Sequence, residues 1–282
     1  MSTWFTHCLG ALARLGPRAQ KDRAAIAQRQ EDSMTVEERG PYMLRSLKDL
    51  EGYAIEATDG TIGHVSDFYF DDEAWVVRFL VVETGTWLLS RRVLIAPEAI
   101  GVPDWDGRVL PVAITKEQVR RSPHIDTNSP VSREHEMLNL GYYGYTYYWE
   151  REQAARRAMQ LREGDPHLRS CKDLIDYHIE ATDGEIGHLE GILVDEANWV
   201  VRYLVAYTSN WWLGHHILVS PEWVEDVNWA EHTVSVDLSC EEVRQSPEYD
   251  PHDPVDRPLE SRLHEHYERP AYWIDEVERA PR

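Results

Sequence analysis

The chain has 282 residues, 42% hydrophobic and 28% charged, enough apolar material for two modest domains. Its 29 Lys and Arg against 50 Asp and Glu give a formal net charge of −21, which disfavours broad electrostatic capture of nucleic acid or anionic lipid. Cys8, Cys171 and Cys240 form no spaced metal motif and leave an odd thiol; Leu47 and Lys116 stand at the first-repeat positions of Cys171 and Cys240, so the scaffold requires no disulfide, which favours a reducing interior.

Residues 1–42 read as an N-terminal extension, partly helical or disordered. Phe5, Leu9, Leu12 and Leu15 are spaced for one helical face, followed by Arg14, Arg18, Lys21 and Arg23. The apolar run is far short of a transmembrane span, so contact with a membrane would be peripheral. From residue 43 the pattern changes to short strands and turns. A brief turn over 46–50 precedes a strand over 53–57. Thr58-Asp59-Gly60-Thr61 has the chemistry of a tight reversal. A strand over 62–70 follows, with Gly63 marking a bulge or a close backbone approach. Asp71-Asp72-Glu73-Ala74 turns the chain into a strong strand over 75–83. The chain reverses near Gly85, and a strand over 93–95 ends at Pro97. A closing strand is predicted over 109–114. Thr115 then caps a short helix through Arg121, with Gln118 at the capping-box distance.

Residues 44–100 are written again at 168–224 without a gap: 29 of 57 positions are identical at an offset of 168 − 44 = 124. The register runs on through Trp105/Trp229, Val119/Val243, Pro123/Pro247, Arg133/Arg257 and Tyr148-Trp149/Tyr272-Trp273. The second copy predicts strands over 177–181, 186–194, 199–207, 211–213, 217–219 and 233–238, with Ser239 as helix cap. The expected organisation is therefore a repeat over 43–149, a connector over 150–167, a repeat over 168–274 and a tail over 275–282. The expected fold is mainly β: two tandem small β-barrels with short helices and aromatic C-terminal appendages, closure being one way to remove edge strands.

Each core is followed by an aromatic appendage, 130–150 and 254–274. Indole and phenol combine apolar area with a polar tip, a composition suited to interfaces. Tyr143, Tyr148, Trp149, Tyr267, Tyr272 and Trp273 are accordingly the candidate interaction residues, with packing over a barrel as the alternative role.

The blocks from Asp59-Gly60 through Pro97 and from Asp183-Gly184 through Pro221 resemble the PRC-barrel family, whose domains are similar to the cytoplasmic barrel of the photosynthetic reaction-centre H subunit and to the C-terminal domain of a ribosomal-maturation factor. The resemblance implies a tandem PRC-barrel protein of bacterial type, used for protein interaction or assembly. It assigns architectural roles to Asp59, Gly60, Gly63, Trp75, Arg78, Gly85 and Pro97, and to Asp183, Gly184, Gly187, Trp199, Arg202 and Pro221. Ser209 departs from the pattern at the position of Gly85.

No Walker A loop, dinucleotide fingerprint or HExxH is present, and no serine or cysteine has an evident base and orienter, so no catalytic residue, cofactor or metal is expected. His215-His216 point to opposite faces of a strand, a poor chelating pair; His264 and His266 share a face only if extended. The acidic groups 71–73 and 195–196 lack the order of a calcium loop and read as solvated turns. Arg120-Arg121 and Arg244 are the best local basic features, for RNA phosphates or for surface ion pairs. The functional expectation is a non-enzymatic protein-binding or assembly scaffold, cytoplasmic or membrane-peripheral, with a protein partner or self-association. Ribosome or RNA association, a photosynthetic membrane complex and an unknown enzymatic reaction are the alternatives.

Overall fold

Asp-Gly turns and runs of β-branched residues divide the chain into strands as their spacing predicts, but the strands are shared between the two halves. The computed structural model describes residues 43–123, 131–147, 168–208 and 214–274. The first half contains β1 (Leu44–Ser46), α1 (Leu47–Leu50), β2 (Ala54–Ala57), β3 (Gly60–Asp71), β4 (Val76–Glu83), β5 (Arg92–Ile95), β6 (Val109–Pro111), α2 (Lys116–Arg121) and α3 (Arg133–Tyr143). The second contains β7 (Leu168–Ser170), α4 (Cys171–Leu174), β8 (His178–Ala181), β9 (Gly184–Asp195), β10 (Val201–Tyr207), β11 (His216–Val219), β12 (Val224–Asn228), β13 (Thr233–Val236), α5 (Cys240–Arg244) and α6 (Arg257–His266).

The long strands β3 and β9 are the spines. β3 gives one edge to β4; the other edge is divided, β2 taking its first part and β7 its last. β9 is treated likewise by β10, β8 and β1. Each half thus lends its first strand to the other half's sheet: Leu44–Ser46 pairs with Leu193–Asp195, and Leu168–Ser170 with Tyr69–Asp71. The remaining order is β5-β4-β3-β2-β6 in one sheet and β11-β10-β9-β8-β13-β12 in the other, with β2/β6 and β8/β13 parallel.

Two expectations are corrected here. The fold is mixed α and β, with two sheet-containing domains, rather than mainly β. Neither sheet closes into a barrel. No ladder joins β5 to β6 among the described residues, and their neighbourhoods meet through one isolated bridge, Ile100 to Val112. Closure would require pairing just past the ends of β5 and β11. There Pro97 and Pro221 each open a short 3-10 helix and contribute no backbone donor. The edge of each spine strand that is left uncovered is instead sealed by the borrowed strand, which satisfies its backbone groups without closure.

The appendages begin as helices α3 and α6, where the sequence predicted no regular structure. Strands β1, β7 and β12 are also additions to the predicted set, the first two lying where turns or nothing were expected. The predicted N-terminal helix, the connector helix, the 211–213 strand, and Cys8, Tyr148, Trp149 and Ser209 lie outside the described residues. A core cluster of Tyr69, Phe79, Val81, Leu94, Val131, Leu140 and Leu168 joins β3–β5 to α3 and to the borrowed β7. Tyr145 and Tyr147 cover it from outside.

Candidate interaction site

The turn and glycine residues frame the site. Asp59 Oδ1 accepts the Lys116 N–H at 2.8 Å, and Asp183 Oδ1 accepts that of Cys240 at 2.6 Å, so each Asp-Gly turn also caps a short helix. The hydrogen bond from Cys240 lowers the Asp183 carboxyl below its ordinary range. Thr115 with Gln118 completes the predicted capping box, and Ser239, predicted as a cap, forms a second box with Glu242. A Cβ on Gly63 would lie 2.0 Å from the Glu83 carbonyl oxygen, and one on Gly187 would lie 2.0 Å from that of Tyr207. Gly60 and Gly85 occupy positive φ, as their turns demand, whereas Gly184 does not.

Trp75 and Trp199 stand at the junction of the two halves, both at positive φ, one and two residues ahead of the strands expected to contain them. Their carbonyls accept the Val201 and Val77 N–H groups at 2.8 and 2.9 Å. Asp71 and Asp195 hold the preceding turns through backbone N–H groups and pair with Arg78 and Arg202 at 3.5 and 3.2 Å. Arg45–Glu196 at 2.8 Å and Arg169–Asp72 at 3.0 Å cross between the halves beside the borrowed strands. Ser170 donates to Asp67 at 2.6 Å; burial nevertheless raises the Asp67 carboxyl above its usual range. A cavity of about 500 Å³ opens here, with Arg78, Pro97, Glu98, Leu140, Glu196 and Trp199 in its wall. Its wall brings three of the architectural residues together: Arg78, Pro97 and Trp199.

The appendage helices dock through an Arg–Glu pair one turn apart. Glu136 and Glu260 are fully buried and receive Arg133 and Arg257 at 3.4 and 3.1 Å. In the second half the buried carboxylate gathers a larger cluster. Tyr203 and Tyr272 donate to Glu260 at 3.1 and 2.7 Å, and the Tyr203 hydroxyl lies 3.1 Å from His264 Nε2. Arg202 stacks 4.0 Å over Tyr272, and Arg257 4.2 Å over Trp273. Burial raises the Tyr203 phenol, with the Glu260 charge adding to it, and burial lowers the His264 imidazole. Of the candidate interaction residues, Tyr267 and Tyr272 are therefore buried within the second domain. Tyr143 and Trp273 are half-buried, and Tyr148 and Trp149 are outside the described residues. Burial pushes the phenols of Tyr143 and Tyr267 up to about 12.

The outer face of α3 is the feature sequence reasoning missed. α3 turns polar Glu136 and Asn139 inward, with Leu140, and presents Met137, Leu138, Gly141 and Tyr142 outward. Met137 is 44% exposed, Leu138 52% and Tyr142 39%, an apolar stripe at helical spacing. The register partners on α6 are Ser261, Arg262, Glu265 and His266, all polar. Residues 137, 138, 141 and 142 follow helical spacing in the sequence, but without knowing that 133–143 is a helix the stripe reads as core.

Arg120 and Arg121 both pair with Glu117, and Arg244 pairs with Glu241. His216 and His188 share Glu190 at 2.8 and 3.3 Å. His264 and His266 are helical rather than extended, so His264 faces the core while His266 reaches the Glu242 carbonyl at 2.8 Å. Among the described residues no group of three or more His, Cys, Asp or Glu could hold a metal, and no helix is long and apolar enough to cross a membrane.

With the sheets and the junction placed, the chain can be set beside known families. Residues 44–119 match the PRC-barrel domain family. No curated protein matches the chain. The expected tandem pair of PRC-barrels is thereby corrected to a single recognised PRC-barrel domain. The 124-residue register marks a shared order of turns and strands. It does not make either half a self-contained barrel, because each sheet is completed by a strand of the other. A PRC-barrel-type domain is consistent with a protein-interaction or scaffold role.

Proposed function

We propose that this protein is a non-enzymatic protein-binding scaffold whose contact surface is the outer face of α3. The observation that supports this most is the inversion of that helix, polar side chains inside and Met137, Leu138 and Tyr142 outside. Water opposes exposure of adjoining apolar side chains, while a partner surface gains from covering them. Tyr142 is also prepared for contact: its hydroxyl donates to the Gln118 carbonyl at 2.8 Å, so its ring is held in place before binding. Tyr143 lies at the margin of the stripe. In this reading Tyr267 and Tyr272 act from inside, holding the second appendage to its sheet, and Trp273 contributes an edge. Scaffold binding needs a rigid base, and the exchanged strands and crossed ion pairs at the junction supply one.

The test is affinity capture at near-physiological salt with the wild-type chain, Leu138→Glu and Met137→Lys. Specific protein retained by the wild type and lost by both folded variants is the expected result. Equal capture by all three would remove α3 as the contact surface.

A further inference from the structure

The geometry points to a second copy of this chain as the occupant of the α3 face, the two α3 helices crossing antiparallel about a two-fold axis. This inference rests on the reading of α3 as a binding surface and names its partner. Leu138 and Gly141 are neighbours three residues apart on one helix face, a projecting side chain beside a position with none. An antiparallel pair centred between them sets residues whose numbers sum to 138 + 141 = 279 opposite one another. Leu138 of each copy then lies over the bare backbone of Gly141 of the other, beside the Tyr147 hydroxyl, which stands 3.1 Å from where a Cβ would be. Met137 meets Tyr142 under the same rule, 137 + 142 = 279, a thioether against an aromatic ring. The stripe is thus self-complementary, as a two-fold interface requires.

Charge agrees with this register. The Tyr142–Gln118 hydrogen bond fixes α2 beside the C-terminal end of α3. At that end Arg120 and Arg121 share the single carboxylate of Glu117, leaving one positive charge in excess: 2 − 1 = +1. At the opposite end of α3, Arg133 pairs with Glu136, and Glu134 carries an exposed negative charge. Antiparallel crossing brings Glu134 of each copy towards the Arg120–Arg121 end of the other. Parallel crossing would set like charges together. The corresponding face of α6 offers Arg262 and Glu265 in place of Leu138 and Gly141, so it has neither the projecting apolar group nor the bare backbone beside it. Three exposed apolar side chains per copy make a small interface, of the kind that forms and dissociates with concentration.

Light scattering on the eluting protein across a hundredfold concentration range tests the inference, with circular dichroism confirming that each variant is folded. The wild type should rise from the 32.8 kDa chain mass towards twice that value as concentration increases. Leu138→Glu and Met137→Lys should stay at the chain mass throughout, while Arg262→Glu on α6 should behave as wild type. A wild type that stays at the chain mass overturns self-association, and capture of a different protein lost in Leu138→Glu would then leave the binding-surface reading standing. A dimer that survives both α3 variants overturns the inference, and unchanged capture by them would overturn the reading beneath it.

Discussion

α3 and α6 are two helices at the same register, docked in the same way and finished differently. Both bury a glutamate against an arginine one turn earlier, and both send an outer side chain back to a carbonyl of the short capped helix, Tyr142 to Gln118 and His266 to Glu242. Inside, the second half has His264 on α6 and the Tyr203 hydroxyl on β10 where the register places Leu140 and Phe79 in the first half. Outside, α3 is apolar where α6 is polar. Docking is set by a few inward positions at i, i+3 and i+4 spacing, so the outward positions are free to carry something else. Function is therefore best sought on the face that the fold does not use.

The shared framework should break first. Gly63→Ala and Gly187→Ala each force a Cβ against a backbone carbonyl, and each should cost about 2–3 kcal/mol in denaturant unfolding. Equal losses are expected, since both approaches are 2.0 Å. A loss confined to one site would show that the two sheets do not depend on the same crossing.

The inner difference comes next. Tyr203→Phe gives the second half the side chain that Phe79 supplies in the first, removing the hydrogen bond to Glu260. We expect a loss of about 1–2 kcal/mol by urea unfolding. No loss would mean that Tyr272 and Arg257 alone satisfy Glu260.

His264 adds a smaller, pH-dependent difference. Burial depresses its pKa from the ordinary 6.5, so the unfolded chain binds the proton more readily. Its contribution is fully present above pH 6.5 and is lost as pH falls through the folded-state value. His264→Leu, copying Leu140, should flatten the fall in melting temperature on the acid side of 6.5 relative to wild type. An unaltered pH profile would assign the acid sensitivity to other groups.

The outer faces should differ least in stability and most in association. Arg262→Leu with His266→Tyr transfers two α3 side chains to α6; Arg262 is exposed, and a tyrosine at the half-buried 266 can reach the Glu242 carbonyl as Tyr142 reaches that of Gln118. Stability should change by no more than about 0.5 kcal/mol. Light scattering should nevertheless show association beyond that of wild type at matched concentration. No added association would mean that the stripe works only with Gly141 and the α2 charges around it.

Much of the framework was legible because its causes are local. Asp59-Gly60 and Asp183-Gly184 turn, Thr115/Gln118 and Ser239/Glu242 cap, and β-branched runs extend, all through contacts within a few residues. The strand starts at Trp75 and Trp199 were off by one and two residues because a left-handed turn residue and a strand residue look alike in an aromatic, β-branched run. The helices of the appendages were hidden for a different reason. Glu136 and Asn139 point inward, reversing the polarity pattern by which an amphipathic helix is recognised.

The sequence by itself determined the turns, the short capped helices, most of the strands and the matching register of the two halves, since each depends on short-range backbone preference and side-chain alternation. Only the tertiary structure decided that the sheets stay open, that β1 and β7 are exchanged, that Tyr267 and Tyr272 go inside and that Leu138 stays out. Those outcomes are choices among partners of similar chemistry far apart in the chain. An unpaired strand edge accepts any extended segment, and a buried carboxylate any donor, so the selection rests on which groups the whole fold brings within reach.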